Sequence, residues 1–470
     1  MTHSMPDTAA AQSWEKYKYT SLGLLFLALA PILILLLMER LTFIYAYLAI
    51  PPILLALSSP RYGFYLFIMA NYIFAPVYTS LFAIHPGDVC ALLFIGSVMI
   101  SWFFRYVPTL DKTRFDYALL ALIMATVISG IFASSPRLSL VPIGRIILIY
   151  LAYRALYTFS GQFNLDRMLR FFIGLHALVS LGHTIYFFMR GGVWRVFGIS
   201  SVGFETFSLT MVPLTLAYAI WAQSRRDRII YSLYFMFGVL ATLATMSRGP
   251  LITIALACPV LLIVSYVYAT RLTRPQVKRY IFRFVMIVLP VLLLMLVGTG
   301  LYEHLGERVG QIFAEKATGT IETRLSLWKA ALESFTLSPI TGIGIGNYLL
   351  LDTLMPHLKF DPVRLVVANL SFHNVFLQYL SETGLLGISA LLWLAGTVFA
   401  TGRRVIQKTA SRADMQLSMS SFVFAFIFCI TIFYMRVWTW GQEGFILAFC
   451  LAMLARQYRT LNDRNHDAET

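Results

Sequence analysis

Charge is the first thing this sequence is short of. Asp, Glu, Lys and Arg make up 13% of its 470 residues, against about 25% in an ordinary soluble domain. Hydrophobic residues account for 59%, and uncharged apolar runs long enough to cross a bilayer, about 18 residues or more, recur along the chain. One oversized water-soluble core is thereby excluded. The fold expected is an all-α polytopic membrane protein with about 12–14 transmembrane helices. Cysteine is scarce as well. Cys90, Cys258, Cys429 and Cys450 all fall inside apolar runs, with spacing that fits neither a disulfide framework nor a zinc site, so they read as small buried hydrophobes. No His/Cys/carboxylate cluster has metal-ligand spacing, and His357 and Asp361 do not make one. A Gly-x-Ser-x-Gly nucleophile elbow, a low-complexity tract and a convincing internal repeat are also missing. No metal and no cofactor are expected.

Acidic residues are fewer than basic ones, 22 against 37, which leaves a formal charge of +15. A charge of that size raises nucleic acid as a partner. Position argues against it, because the basic residues sit in short loops between apolar segments. With the N-terminus in the cytoplasm and the spans alternating, cytoplasmic segments hold about twice as many Lys and Arg as the opposite side. The positive-inside rule thus explains the charge, and membrane lipids rather than nucleic acid are the expected surroundings. The stretch "MTHSMPDTAAAQSWEKYKYT" is polar and lacks a signal-peptide cleavage pattern. The organisation expected is a cytoplasmic tail over 1–19, transmembrane helices over 20–299, one large, nearly neutral, helical periplasmic loop over 300–373, further transmembrane helices over 374–456 and a cytoplasmic tail over 457–470.

The loop and its flanks hold the candidate chemistry. Over 321–335 a helix is predicted, and at about 100° per residue Arg324 shares a face with Ala331, Phe335 and Trp328. A guanidinium on an apolar stripe needs an acceptor. It is either an interfacial Arg pairing locally or a clamp for an anionic group such as phosphate. Arg248, in "TLATMSRGPLITIALA", and Arg195, in "GGVWRVFGIS", lie in short loops on the same expected face. Taken singly each is an ordinary helix-end anchor; three together can converge on a diphosphate.

In "SFHNVFLQYLSETGLLG", residues 371–387, His373 opens an apolar run, and a helix would put Gly384 and Gly387 on its face. Small residues there let another helix approach closely and fix His373 from below. Asn374 is a candidate to hold a neighbouring loop or a ligand hydroxyl. Glu382 falls on the opposite side, deeper, and is read as a partner for an intramembrane base such as Arg145. The run "GIGIGNY" over 342–348 follows a helix and a proline rather than a strand and lacks the P-loop lysine, so it reads as a tight turn and not a nucleotide loop.

Four features in this order resemble the O-antigen ligase family of bacterial inner-membrane glycosyltransferases: Ser-Arg-Gly at 247–249, the block "TRLSLWKAALESFTLSPITGIGIGNY" at 323–348, "HNVFLQYLSETGLLG" at 373–387, and one large late loop. They span about residues 190–400, whereas residues 1–170 match only in being hydrophobic. The resemblance implies an undecaprenyl-diphosphate-linked glycan donor delivered to the periplasmic face, and lipid A–core or a lipid-linked glycan as acceptor. It implies that Arg248 and Arg324 contact the diphosphate and that His373 is the catalytic histidine. A polymerase of the same superfamily and a glycan transferase acting on protein share these motifs. A lipid or polysaccharide flippase would instead place charged or broken helices near the midplane and relate its halves by a repeat.

Overall fold

A computed structural model describes residues 53–55, 57–73, 77–78, 83–84, 86–103, 112–160, 165–189, 201–245, 247–269, 274–298, 320–351, 372, 374–409, 411–433 and 441–469. Among these the chain forms helices α1 (Pro60–Ile73), α2 (Pro86–Phe103), α3 (Arg114–Ile131), α4 (Pro136–Ser160), α5 (Leu165–Met189), α6 (Ser201–Trp221) and α7 (Arg225–Thr245). They continue as α8 (Arg248–Tyr268), α9 (Arg274–Gly298), α10 (Thr320–Leu337), α11 (Val375–Lys408), α12 (Arg412–Thr431) and α13 (Gly441–Glu469). A two-residue antiparallel bridge, Val77–Tyr78 against Ala83–Ile84, lies between α1 and α2. The protein is therefore an all-α polytopic membrane protein. Seven described helices are long and apolar enough to cross a bilayer. The start of the expected transmembrane region, residues 20–52, and most of the expected loop, residues 300–319 and 352–371, lie outside the described residues.

Helix α6 is the centre of the bundle. From Phe207 to Trp221 it is buried on all sides, as expected of a helix that is apolar all round. Helices α7, α8 and α12 pack around it, and α12 also packs on α11 and α8. A second wall is made by α3, α4, α11 and α13. By contrast α8 and α9 expose Ile252, Leu256, Ile263, Phe282, Met286 and Leu294 outward. In water such a surface would be a liability; here it is the face that lipid covers.

Local signals set several boundaries. Thr113 caps α3 in a capping box with Asp116. Asp116 is buried and also takes a hydrogen bond at 3.1 Å from Arg154 of α4. Near the same end of the bundle, Arg170 donates to Asp166 at 2.6 Å, to the Tyr231 hydroxyl at 3.1 Å and to Gln416 at 3.2 Å. Helix α13 runs on past 457 to Glu469, so the stretch expected as a tail continues the last helix.

Candidate active site

The run "GIGIGNY" is a plug in a broken helix. Within α11, Gly384 has φ 59° and ψ −155°, so the helix breaks there. An unbroken helix would bond the Leu385 and Leu386 N–H groups to the carbonyls of Ser381 and Glu382. Both bonds are lost, and residues 339–344 replace all four partners. Leu385 donates to Pro339 O at 2.8 Å and Leu386 to Ile340 O at 3.3 Å. Ile343 and Gly344 donate to Ser381 O and Glu382 O, each at 3.0 Å. The break lies nine residues into α11, roughly 14 Å along the axis. Irregular backbone at such depth survives only where protein satisfies it, and here protein does.

Close approach explains the glycines. A Cβ on Gly384 would sit 2.5 Å from the Ile340 carbonyl, and one on Gly342 would collide with the backbone of Glu382. Gly342, Gly344, Gly346 and Gly384 all have positive φ, a region that side chains disfavour. This corrects the sequence expectation that Gly384 and Gly387 admit a neighbouring helix. Gly384 admits a turn, and Gly387 faces the Thr383 side chain of its own helix. The 3.6-residue periodicity used to pair them assumed a continuous helix, and the helix is not continuous.

Glu382 is fully buried. Its carboxylate accepts from the Tyr348 N–H at 3.0 Å and from the Gln378 side-chain amide at 2.9 Å. A further bond comes from the Gly346 backbone. The expected pair with Arg145 is therefore not formed: the acid is spent on orphan amides of the plug, which need an acceptor more than a distant guanidinium does. Ser129 of α3 donates to Glu382 O at 2.6 Å and accepts from the Ile345 N–H at 3.1 Å. Asn347, also fully buried, accepts from the Ser135 N–H at 2.8 Å and donates to Ser139 at 3.2 Å. The plug is thus tied to α3, α4 and α11 at once.

His373 and Arg195 lie outside the described residues, but the neighbours of His373 do not. Phe372 is fully buried, and its carbonyl accepts from the Trp328 indole at 2.9 Å. Asn374 is the N-cap of α11, its side-chain oxygen accepting from Leu377 N–H at 3.0 Å. On α10 the buried side is Leu327, Ala330, Ala331 and Ser334, packed toward Ile343, Tyr348 and Phe372. Leu332 is 51% exposed. The face is rotated toward the small residues, which allow α10 to approach closely. That leaves Arg324, half-buried, at the flank of the face rather than in its middle.

Arg248 is the first residue of α8, where the helix dipole and free N–H groups favour an anion. The preceding Ser247 makes no capping bond because its hydroxyl donates to Glu205 of α6 at 2.9 Å. Below it, the Phe204 ring is stacked between two buried imidazoles, His183 at 4.3 Å and His176 at 5.3 Å. Glu205, His176 and His183 are legible in the sequence as intramembrane ionisable groups, the default functional candidates of a membrane span, though no motif singles them out. Helix α12 touches both α8 and α11 and so stands between the Arg248 and Asn374 elements. Among the described residues no group of three or more His, Cys, Asp or Glu could hold a metal ion.

Chain parity puts the start of α8, the exits of α5, α7 and α9 and the start of α11 at one end of the bundle. Fold and site together define a polytopic membrane protein with a helix broken and plugged near that end. Residues 233–392, from α7 to the middle of α11, match the family model described as O-Antigen ligase. This part of the chain is thus similar to the O-antigen ligase family, in agreement with the motifs. No curated protein matches the chain.

Proposed function

We propose that the protein transfers a glycan from undecaprenyl diphosphate to a saccharide hydroxyl at the periplasmic face of the bacterial inner membrane, with lipid A–core as the acceptor. The observation carrying this reading is the family match over 233–392, which contains Arg248, Arg324 and His373 together. In the reaction the acceptor oxygen attacks the anomeric carbon as the bond from that carbon to the diphosphate oxygen breaks. The diphosphate leaves with the bonding electrons, and the acceptor proton passes to His373. One in-line displacement inverts the anomeric centre. Arg248, Arg324 and Arg195 neutralise charge growing on the leaving group, and donors aimed at that charge are worth most in a site that excludes water. An ordinary histidine has a pKa of about 6.5, near the working pH of a proton acceptor. Asn374 commits its oxygen to the helix cap, so its amide nitrogen is the part that meets a sugar.

Firm flanks support this assignment. The two sequence neighbours of His373 are both held, Phe372 by Trp328 and Asn374 as the cap of a helix pinned by the plug. The test is deletion of the gene in its host, with lipopolysaccharide run on a gel and complementation by wild type, His373→Ala and Arg248→Ala. We expect the long-chain ladder to vanish from lipopolysaccharide while polymer persists on the carrier lipid, and both variants to fail to restore it at normal membrane abundance. A lipid A–core bearing a single repeat unit would identify a polymerase instead. An unchanged gel would overturn the O-antigen reading, and a fully active variant would overturn the site.

A further inference from the structure

At the opposite end of the bundle α3, α4, α11 and α13 enclose a cavity of about 340 Å³. It lies where α3 begins and α11 nears its end, while the plug lies where α3 ends and α11 begins. From Arg114 to Ser129 is fifteen residues of α3, roughly 22 Å, so the cavity belongs to the other membrane surface. Its floor is apolar and buried, with Phe115, Tyr157 and Ala455. Its rim is cationic, with Lys112, Arg114 and Arg459 against one carboxylate, Asp463.

The basic residues around it divide into two kinds. Arg154 and Arg170 are tied to Asp116 and Asp166, and Arg464 is tied to Asp414 at 2.7 Å. Lys112 and Arg114 are exposed, and among the described residues neither has a carboxylate within salt-bridge reach. Arg114 lies 5.8 Å above the Tyr458 ring, and Lys408 lies 5.7 Å from the same ring. Arg459 meets Asp463 at 3.7 Å, a loose contact. A hydrogen bond with Asn462, with Arg404 and Lys408 beside it, holds the Tyr458 hydroxyl below its ordinary value, as positive surroundings should. Below Arg114 on α3 run Tyr117, Leu120 and Met124, all well exposed and three or four residues apart, so they form one outward stripe.

We infer that this cavity binds the phosphate headgroup of an anionic membrane lipid, with an acyl chain lying along the Tyr117–Leu120–Met124 stripe of α3. Lys112 and Arg114, with no carboxylate within salt-bridge reach among the described residues, stand at a membrane surface over an apolar floor, and that is the chemistry that recognises a lipid phosphate. A soluble phosphate would use the rim but gain nothing from the stripe, which is why the lipid is the better fit.

The test uses the full chain in detergent, with thermal unfolding followed as short-chain phosphatidylglycerol, short-chain phosphatidylcholine or inorganic phosphate is added. Phosphatidylglycerol should raise the midpoint and phosphatidylcholine should not. The double variant Lys112→Gln/Arg114→Gln should bind phosphatidylglycerol about tenfold more weakly, and Arg114→Lys should retain most of the response. Because both residues are exposed, the fold should tolerate the change; phosphorus co-purifying with each variant from membranes gives a second readout. Equal protection by the two lipids, or an unaltered response in the double variant, overturns the proposal. Protection by inorganic phosphate as strong as that by phosphatidylglycerol would identify a soluble phosphate ligand and overturn the lipid assignment. None of these readouts depends on glycan transfer.

Discussion

The two ends of the bundle are held by different means. At the plug end nearly every tie uses at least one backbone group: residues 339–344 fill the groups freed by the break at Gly384, and Ser129, Asn347 and Glu382 bind further main-chain groups around it. At the far end they are side chain to side chain: Arg154 with Asp116, and Arg170 with Asp166, Tyr231 and Gln416. Backbone ties fix position without drawing on charged side chains. Side-chain ties consume charge, and Lys112 and Arg114, with no carboxylate within salt-bridge reach among the described residues, therefore stand out. A broken helix is the more demanding arrangement, because each unfilled amide in a membrane costs several kcal/mol.

The sharpest way to break the comparison is Gly384→Ala. The new methyl would meet the Ile340 carbonyl at 2.5 Å in a backbone conformation that alanine disfavours. Strain and overpacking together should cost at least about 2 kcal/mol, and loss of the plug would follow. The expected result is low membrane abundance or an early unfolding midpoint, with no transfer activity. A fully stable variant would show that the break is not needed. Gly396, whose Cβ would meet nothing within 4 Å, is the control on the same helix.

Next comes Glu382→Ala, which removes the acceptor shared by Tyr348 N–H and Gln378. Leaving such donors buried costs about 1–3 kcal/mol. Glu382→Gln keeps one oxygen for the Tyr348 amide and should recover most of the loss. If Glu382→Ala abolishes transfer at unchanged thermal stability, Glu382 acts in the reaction rather than in the plug. The matching change at the far end is Arg154→Met. It strands Asp116, which is 3% exposed, but the Thr113 backbone still donates to it. Because Arg154 is itself 26% exposed, the cost should fall to about 1–2 kcal/mol, below that of a fully buried pair. Thermal unfolding of the two variants side by side measures which kind of tie matters more.

Much of this was legible in sequence. Apolar length gave the helical membrane class, and "TLSPITGIGIGNY" announced a turn after α10. The motif order found the domain that 233–392 then matched. What periodicity missed was the break at Gly384, because a wheel drawn at constant pitch cannot show that a helix stops being one. That single assumption misplaced Gly384 and Gly387 together. The partner of Glu382 was also hidden, since backbone amides of a turn 34 residues away leave no side-chain signature. Glu205 and the two stacked histidines differ: each is visible in the sequence as an ionisable residue inside a span, but none belongs to a motif.

The smallest effect tests the link between the plug and the expected catalytic residue. Asn374→Ala removes the cap oxygen that receives Leu377 N–H at 3.0 Å, and an N-cap is worth about 1 kcal/mol. With α11 pinned by the plug nine residues further on, that loss should fray only the first turn. Thermal unfolding should hardly move, yet transfer should fall, because His373 lies immediately before the cap. Asn374→Asp and Asn374→Ser both restore a capping oxygen, but neither restores the amide nitrogen. If both recover transfer, Asn374 works through the helix end. If neither does while stability returns, the amide itself meets the sugar, and the residue belongs to substrate binding as well as to the fold.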